Sequence, residues 1–427
     1  MAAPLAWLPA IAASATTAFT GATILPISDR PIENGVLVIE DERVVAVGAA
    51  DDVDIPNGAE RVNLDGAVIM PGLVDTHSHI GGVAGGDESG PIQPAARVLD
   101  SIDVRDSGFD RARAGGITSA NLMPGSGLLM SGQTLYVKLR DGDTIGELAY
   151  RNENGTYAGG MKMANGTNPI GEAPFPGTRA KSAALVRQRF VDAIEYARKI
   201  EQAGGNDDEM PERNLANEAL LQVLDGERVV HFHTHRHDDI LTALRLRDEF
   251  GFRIVLQHVS EAHRVAGEIA AAGAPVSLIL VDSPGGKLEA RNLNFKSPAI
   301  LERAGVDIAF HTDDYITDSR LLLRMGAFGV RSGMSREGAL EALTLAGARM
   351  LGLADRVGSL ERGKDADFVI LSGDPFSVYT RVLETWVEGR KVFDLDDPED
   401  REVAEGAFGA MQPSSANGLH DYGESHR

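Results

Sequence analysis

The stretch PGLVDTHSH, residues 71–79, constrains the fold more than any other part of the sequence. A Pro-Gly pair precedes a short apolar run, which ends in His77 and His79. Because side chains alternate between the faces of a strand, both imidazoles lie on one face and Thr76 and Ser78 lie on the other. Neutral imidazole is a ligand for Zn, Fe, Ni or Cu, so a strand ending in this way can hold a metal ion. The alternative is a pair of partly buried structural histidines.

Strand-like and helix-like runs alternate around this stretch, as they do in βα units around a parallel sheet. The helix-like runs include 183–201, 238–250 and 261–272. The strand-like runs are 68–77, 117–122, 134–139, 160–164, 229–234, 253–258, 275–281 and 306–312. Eight units of this kind close a (β/α)₈ TIM barrel, an α/β fold whose active sites lie at the carboxyl ends of the strands. We therefore expect a metal-binding barrel over residues 67–354.

Both ends of the chain contain short β-rich segments, such as VLVIE at 36–40 and ADFVIL at 366–371. They predict a small β-sandwich composed of residues 18–66 and 355–395. Residues 396–427 are acidic and then rich in Ser, Asn and Gly, which predicts a loose tail.

The first 17 residues are apolar with small side chains near the end, as in a signal peptide, but no Lys or Arg precedes the apolar run. They are interpreted as a signal or a flexible terminus, which leaves export to the periplasm and a cytoplasmic location equally open. No other run of about 20 apolar residues exists, so we expect no membrane partner.

The composition excludes some kinds of metal site and some classes of partner. The chain has 427 residues and no cysteine, which excludes disulfides and thiolate metal sites. Lys and Arg number 41 against 63 Asp and Glu, a formal net charge of −22. Such a surface repels phosphate backbones, so we expect a small-molecule substrate and no nucleic acid. A homo-oligomer stays open.

A second group of histidines lies in VVHFHTHRH, residues 229–237. Its four histidines fall on one strand face, but alternate residues are about 6.6 Å apart, so at most two can reach one ion. His233 is the best ligand, and His231 is interpreted as an interior structural residue. His235 and Arg236 are better placed for a substrate. The alternative for Arg236 is that strand alternation from His235 turns it outward, where it pairs with Asp238 or Asp239.

Further polar residues follow the last strands. His258 ends the apolar run RIVLQH, and His311, Asp313 and Asp314 follow VDIAF. A lone His or Asp at a strand end is commonly structural or a helix cap. Here, however, each candidate follows a separate predicted barrel strand, where this fold places its chemistry. His311 is interpreted as a substrate-binding residue.

Taken together, PGLVDTHSH, HTHRHDDI, HVSEAHR, HTDD and GSLERGKDADFVILSGDP resemble the amidohydrolase superfamily, in its imidazolonepropionase-like branch. The resemblance covers nearly the whole chain and implies a metal-bearing barrel with a small β-sandwich. It also implies metal ligands on strands one, five, six and eight. By position these are His77, His79, His233, His258 and Asp313.

Two-metal members of the superfamily add a bridging carboxylated Lys, or a Glu, on strand four. In this sequence GGMKMANGTNP offers Lys162. The alternatives are Lys138, on the third predicted strand, and an unmodified Lys162 that pairs with an Asp or with the substrate in a single-metal site. The cofactor prediction is therefore one or two divalent ions, with Zn as the first choice.

The resulting functional prediction is an amidohydrolase that cleaves an amide, peptide or cyclic amide C–N bond. Metal-activated water attacks, Asp313 acts as general base and then acid, and His258 assists. The presence of His235 and Arg236 predicts a carboxylate-bearing substrate. Two alternatives stay open, namely a metal-dependent deaminase and a non-catalytic barrel that binds a ligand.

Overall fold

The computed structural model describes residues 16–83, 85–281 and 287–406 of the chain. Its strands, in chain order, are β1 Thr16–Ile24, β2 Ile32–Glu40, β3 Arg43–Ala49, β4 Glu60–Asn63, β5 Val68–Pro71, β6 Leu73–Ser78, β7 Ile117–Leu122, β8 Met130–Gln133, β9 Leu135–Lys138, β10 Met161–Ala164, β11 Val230–Thr234, β12 Ile254–His258, β13 Val276–Leu278, β14 Ile308–Phe310, β15 Phe368–Leu371, β16 Val382–Val387 and β17 Arg390–Asp394. Its α-helices are α1 Ser107–Ala114, α2 Ile145–Leu148, α3 Arg179–Ala203, α4 Leu215–Leu224, α5 His237–Phe250, α6 Ala266–Ala271, α7 Ser297–Arg303, α8 Leu322–Arg331, α9 Arg336–Leu343, α10 Leu345–Leu351 and α11 Pro398–Glu405.

Two sheets whose strands mostly alternate with helices occupy the centre of the fold. One has the order β14-β13-β12-β11-β10-β8 and the other β6-β7-β9. Strands β10 to β14 are parallel to one another, as are β6 and β7. The sheets approach each other twice: β8 and β9 are separated by Thr134 alone, and Ser78 of β6 forms a parallel bridge with Asp314, beyond β14. Over the described residues they do not form one closed ladder, so the architecture is a TIM-barrel-like α/β fold.

The third central strand runs against its neighbours, contrary to the expectation of eight parallel strands. Strand β9 is antiparallel to β7, and β8 is antiparallel to β10. The reason is the short connection 123–129 between β7 and β8. Parallel neighbours need a crossover of about a dozen residues or more, whereas a short connection suits antiparallel ones. Lys138, which pairs with Ser119 near the start of β7, therefore lies toward the amino ends of the parallel strands.

The predicted first strand, 68–77, is divided between two sheets. Strand β5 pairs with β1 and β15, whereas β6 pairs with β7. The change of sheet occurs at Gly72, where a Cβ atom would overlap the side chain of Thr118. A glycine is needed at this close approach, and strand alternation along the predicted segment could not reveal the break.

Strands from both ends of the chain meet in one eight-stranded sheet of order β17-β16-β15-β5-β1-β2-β3, with β4 paired to β1. Phe19 of β1 packs edge-on against Phe368 of β15 and Trp386 of β16, with ring centroids 5.1 and 5.2 Å apart. The structure thus joins the two terminal segments, but β5 belongs to this sheet although residues 67–354 were expected to form the barrel. The rest of the division into domains stays a prediction.

The predicted loose tail begins with an ordered helix. The Asp397 side chain accepts a hydrogen bond from the backbone N–H of Glu399, Pro398 occupies the first turn of α11, and Gly406 ends the helix with a positive φ of 78°. Val403 packs with Ala404 against a small apolar cluster. The prediction overlooked these capping signals. Residues 407–427 of the predicted tail lie outside the described residues. Residues 1–15 of the predicted signal or flexible terminus also lie outside them, and residues 16 and 17 belong to β1.

Within the described ranges, none of the helices is long and apolar enough to cross a membrane.

A buried ion-pair network joins the central strands to the terminal sheet. Lys138 is fully buried, and its Nζ lies 3.2 Å from carboxylate oxygens of Asp367 and Glu388 and also pairs with Asp365. Burial alone would lower the pKa of Lys138, but these carboxylates raise it above its ordinary value. The ammonium group of Lys138 is therefore fully engaged by these carboxylates, and the alternative that made Lys138 a bridging metal ligand is wrong.

Candidate metal-binding active site

Most of the side chains expected to carry the chemistry converge at the carboxyl ends of the central strands. His77 lies in β6, Lys162 in β10 and His233 in β11; His258 ends β12, and Asp313 follows β14. The three histidines and Lys162 are at most 2 % exposed, and the Asp313 side chain is 17 % exposed. The sequence pattern therefore predicted the place where these groups meet.

His77 and His79 both present Nε2 to the same carboxylate oxygen. The Oδ1 atom of Asp313 lies 3.1 Å from Nε2 of His77 and 2.9 Å from Nε2 of His79. The ligand atoms of these three residues all lie within 4.8 Å of one another. Two imidazole nitrogens and a carboxylate oxygen at this spacing form a ligand set that suits Zn and related ions.

The other nitrogen of His79 shows that a positive charge belongs in this cluster. Nδ1 lies 2.7 Å from the carbonyl oxygen of Met123, which can only accept, so Nδ1 carries a hydrogen. In a neutral ring Nε2 then has a lone pair, which faces Oδ1 of Asp313. Two electron pairs at this distance require a proton or a metal ion between them. The residues present therefore fit a divalent cation.

Lys162 approaches the same cluster from β10. Its Nζ lies 2.9 Å from Nε2 of His77 and 3.1 Å from Sδ of Met123. Burial lowers the pKa of Lys162 to about 7, even though the neighbouring Asp313 opposes that change. Near neutral pH a substantial fraction of this side chain is consequently a free amine.

His233, His235 and Glu289 form a second group beside the first. Their ligand atoms also lie within 4.8 Å of one another, and all three residues are buried. Neither ring nitrogen of His233 has a hydrogen-bond partner in the described part of the protein, and the same holds for Oε1 of Glu289. Unpaired buried polar atoms are unfavourable, so these atoms indicate where a ligand would be accommodated.

Burial favours the neutral form of four histidines of the site. It is the largest cause that lowers the pKa of His77, His233, His235 and His258 well below the ordinary value. A neutral imidazole has one nitrogen with a lone pair, which is the form that binds a metal ion. The electrostatics of the site therefore agree with its geometry.

Two residues with left-handed backbone conformations shape the site. His258 has a φ of 68° and Asp313 a φ of 52°, a region that residues other than glycine rarely occupy. At the end of β12 this turn interrupts the alternation of side chains. Gln257 reaches Nδ1 of His77 at 3.3 Å, while the His258 ring lies 4.7 Å from the His77 ring. Such local strain commonly marks a functional site.

His311, which the sequence suggested as a substrate-binding residue, lies among buried polar side chains. The ring is fully buried, with Nδ1 2.6 Å from Oγ of Ser277 and Nε2 3.0 Å from Nδ1 of His258. Both ring nitrogens are occupied by neighbours. His311 is therefore placed to orient His258, and its substrate-binding role stays a prediction.

Arg236 adopts the outward alternative and pairs with Asp238. Its guanidinium binds the carboxylate of Asp238 at 2.8 and 3.0 Å, and the side chain is 41 % exposed. Strand alternation turns it away from the face that carries His235, which is 4 % exposed with Nδ1 2.8 Å from Oγ of Ser260. Arg236 is therefore engaged in a surface ion pair, and the substrate-binding role of His235 stays a prediction. His231 is an interior residue, as expected, with hydrogen-bond partners at both nitrogens.

Gln257 and Glu289 are two site residues that the sequence did not reveal. Gln257 is paired in register with His233 of the neighbouring strand, but no pattern in the sequence singles it out. Glu289 lies in the 3₁₀ turn Leu288–Ala290, after the seventh strand position, where no periodic pattern singles it out.

Known proteins similar to the chain agree with this architecture. A model of the Amidohydrolase family matches residues 186–393. An amidohydrolase from Thermotoga maritima MSB8 is 34 % identical and superposes with a TM-score of 0.82, covering 88 % of this chain and all of that one. An adenosine deaminase from Xanthomonas campestris, solved with bound zinc, has a TM-score of 0.54 at 19 % identity over 92 % of this chain and 97 % of its own, which shows a likeness of fold alone.

Two curated relatives match most of the chain. The imidazolonepropionase of Cupriavidus necator is 28 % identical, with coverage of 85 % of this chain and 91 % of that protein. The amidohydrolase tasK of Hapsidospora irregularis is 27 % identical over 87 % of this chain, which spans 40 % of the length of tasK. These similarities agree with the cluster of histidines and carboxylates at the strand ends. The chain belongs to the amidohydrolase family, whose members are hydrolases that act on C–N bonds.

Proposed function

We propose that this protein hydrolyses an amide, peptide or cyclic amide bond of a small molecule, with metal-activated water as the nucleophile. The observation that carries the proposal is the approach of Asp313 Oδ1 to Nε2 of both His77 and His79, at 3.1 and 2.9 Å. A catalytic metal site needs a few protein ligands and a carboxylate that can exchange protons, and this cluster contains both.

The first ion would be held by His77, His79 and Asp313, with His233 and His258 available from the adjacent strands. Nε2 of His258 is buried and has no hydrogen-bond partner among the described residues. A divalent ion held by these residues would supply water whose pKa is lowered toward about 7 and would polarise the carbonyl group of the substrate. Zn suits these nitrogen and carboxylate ligands.

Asp313 is the proposed general base and acid. Its Oδ2 atom lies 3.8 Å from Nδ1 of His258, beyond hydrogen-bond distance. This oxygen can therefore accept the proton of the attacking water and deliver it to the leaving nitrogen. His258, oriented by His311, can also donate to the oxygen of the tetrahedral intermediate if it does not serve as a ligand.

A second ion is proposed to depend on Lys162. A free lysine amine reacts with carbon dioxide to form a carbamate and releases a proton, and the pKa of about 7 for Lys162 makes that amine available at neutral pH. The carbamate would add negative charge close to His77 and would bridge two ions. The one-ion alternative keeps the unmodified side chain.

For the substrate, a carboxylate-bearing molecule stays the proposal, with His235 as its contact. The ring faces the group formed with His233 and Glu289, and the positive charge of Lys287 acts on it. We further propose that the two central sheets act as one complete (β/α)₈ barrel, because their ends meet at Thr134 and at the bridge between Ser78 and Asp314.

Metal analysis combined with a substrate screen tests the proposal. The purified protein, reconstituted with Zn²⁺, should contain at least one ion per chain and should hydrolyse a member of a panel of dipeptides, N-acyl amino acids and ring amides. His77→Ala and Asp313→Asn should lower the metal content and the activity together. Arg213→Ala, at an exposed ion pair with Glu218, is the control.

Full metal occupancy in a protein with both His77→Ala and His79→Ala would contradict the proposed site. Release of ammonia from aminated rings, without cleavage of any amide, would indicate a deaminase instead. A metal content below a tenth of an equivalent in the parent would favour a protein without catalysis.

A further inference from the structure

A chain of four buried side chains leads away from the metal-binding cluster through the interior of the fold. Nδ1 of His77 lies 3.3 Å from Oε1 of Gln257, and Nε2 of Gln257 lies 3.1 Å from Nδ1 of His231. Nε2 of His231 then lies 3.0 Å from the hydroxyl of Tyr136. Three of the four residues are fully buried, and Tyr136 is 3 % exposed. Water is thus kept from competing for these contacts.

The orientation of the Gln257 amide fixes where the hydrogens lie. Oε1 can only accept, so His77 carries its hydrogen on Nδ1 and keeps a lone pair on Nε2. The Gln257 amide nitrogen donates to Nδ1 of His231, so the hydrogen of His231 lies on Nε2 and points at the Tyr136 oxygen. In this direction His77 offers Nε2 to a cation.

Rotation of the Gln257 amide by half a turn exchanges the donor and the acceptor in every hydrogen bond of the chain. Tyr136 would donate to Nε2 of His231, and Nδ1 of His231 would donate to Gln257. The amide nitrogen would then donate to Nδ1 of His77, which would carry its hydrogen on Nε2 and point it at Oδ1 of Asp313, 3.1 Å away. Each residue keeps the number of hydrogens that it had. In the reversed direction a hydrogen fills the position that a cation would occupy.

Tyr136 favours the reversed direction. Within the described ranges, Nε2 of His231 is the one hydrogen-bond partner of its hydroxyl. That hydroxyl can donate only in the reversed direction, and a buried donor without an acceptor is unfavourable. A cation at His77 therefore favours the first direction of these hydrogen bonds, whereas the Tyr136 hydroxyl favours the reversed direction.

We propose that Gln257, His231 and Tyr136 are positioning residues that set the tautomer of His77, and that cation binding switches the direction of their hydrogen bonds. This inference rests on the proposed function in one respect, namely that a cation binds at His77. It differs from a purely structural role because it assigns opposite effects to two members of one buried chain.

The test measures Zn²⁺ affinity by competition with a chelator, using the full-length protein after metal removal. Gln257→Met removes the group that orients His77, so the affinity should fall by about 10- to 100-fold, as for other residues that orient metal ligands. Tyr136→Phe removes the donor that favours the reversed direction, so the affinity should rise. Gln133→Met, in β8, is a control that should leave it unchanged, and circular dichroism verifies the folding of each variant.

A second measurement identifies the tautomers directly. In ¹⁵N-histidine spectra, the hydrogen of His231 should move from Nδ1 to Nε2 when Zn²⁺ is added. Equal losses of affinity in Tyr136→Phe and Gln257→Met, or an unchanged tautomer of His231 on binding, would overturn the inference and leave the proposed function intact. If the parent protein does not bind Zn²⁺, the proposed function and this inference are both wrong.

Discussion

The amine of Lys162 and the Nε2 atom of His77 are 2.9 Å apart, and both side chains are fully buried. A lysine so placed has no water to stabilise its charge, which is the main reason that its pKa falls to about 7. The nearest imidazole is itself a candidate ligand. Modification of this one amine would therefore change the charge of the whole cluster.

This relationship predicts that bicarbonate controls the second ion. Zn²⁺ reconstitution in the presence of bicarbonate should give two ions per chain, and reconstitution without it should give one ion and lower activity. Lys162→Ala should hold one ion under both conditions, because no amine is available for carboxylation. Metal analysis with intact-protein mass spectrometry checks this result. A crystal structure with two ions and an unmodified Lys162 would contradict the carbamate.

The surface ion pair of Arg236 predicts a weak effect on catalysis. The guanidinium binds Asp238 and is 41 % exposed, and such a pair contributes at most about 1 kcal/mol to the free energy of unfolding. Arg236→Ala should therefore change kcat/KM by less than a few-fold. His235→Ala should abolish any preference for a carboxylate substrate over its neutral amide, with the metal content retained. A large loss of that preference in Arg236→Ala alone would restore the anion role expected from the sequence.

Strand alternation predicted much of the site because alternation holds along most of the strands. It placed His77 with His79, and His231 with His233 and His235, each on one face. It did not indicate Gln257, because the left-handed turn at His258 allows two consecutive side chains, Gln257 and His258, to reach the same cluster.

The remaining differences involve long-range contacts that no local pattern contains. The direction of the third central strand depends on which strands β8 and β9 pair with after the short connection that follows β7. Glu289 is brought to His233 by the path of a loop. By contrast, Asp397, Pro398 and Gly406 are local signals for α11, and a capping analysis of the sequence would have found this helix.

The buried network around Lys138 predicts a large effect on stability. Lys138→Met leaves Asp365, Asp367 and Glu388 without their shared ammonium group, and breaking a buried pair in this way lowers the free energy of unfolding by about 3–5 kcal/mol. Chemical denaturation would measure the change. The folded variant should still bind Zn²⁺ as the parent does, since Lys138 does not belong to the metal-binding cluster.

The control for this prediction is Lys391→Met, which removes a lysine from a half-exposed pair with Glu384. Its free energy of unfolding should change by no more than about 1 kcal/mol. Equal effects of the two substitutions would show that the Lys138 network contributes little to stability.

The carboxylate of Glu261 predicts a specific loss of stability in acid. Burial alone would raise its pKa, but hydrogen bonds from the side chain and backbone of His237 and from Asn292 lower it to about 2, against an ordinary value of 4.5. A carboxylate whose pKa is lower in the folded state stabilises the fold above the unfolded pKa. That stabilisation is lost as the pH falls from 4.5 toward about 2.

Unfolding free energies of the parent and of Glu261→Gln, measured as a function of pH, test this linkage. The parent should be the more stable at neutral pH, and the difference should shrink as the pH falls below 4.5, because protonation removes in the parent the charge that the variant already lacks. Comparing two proteins at each pH cancels acid effects that they share, such as release of a bound metal ion. Glu249→Gln, at an exposed pair with Arg187, should differ from the parent by at most about 1 kcal/mol throughout. A difference between the parent and Glu261→Gln that stays constant or widens toward low pH would show that the His237 and Asn292 contacts do not stabilise the ionised carboxylate.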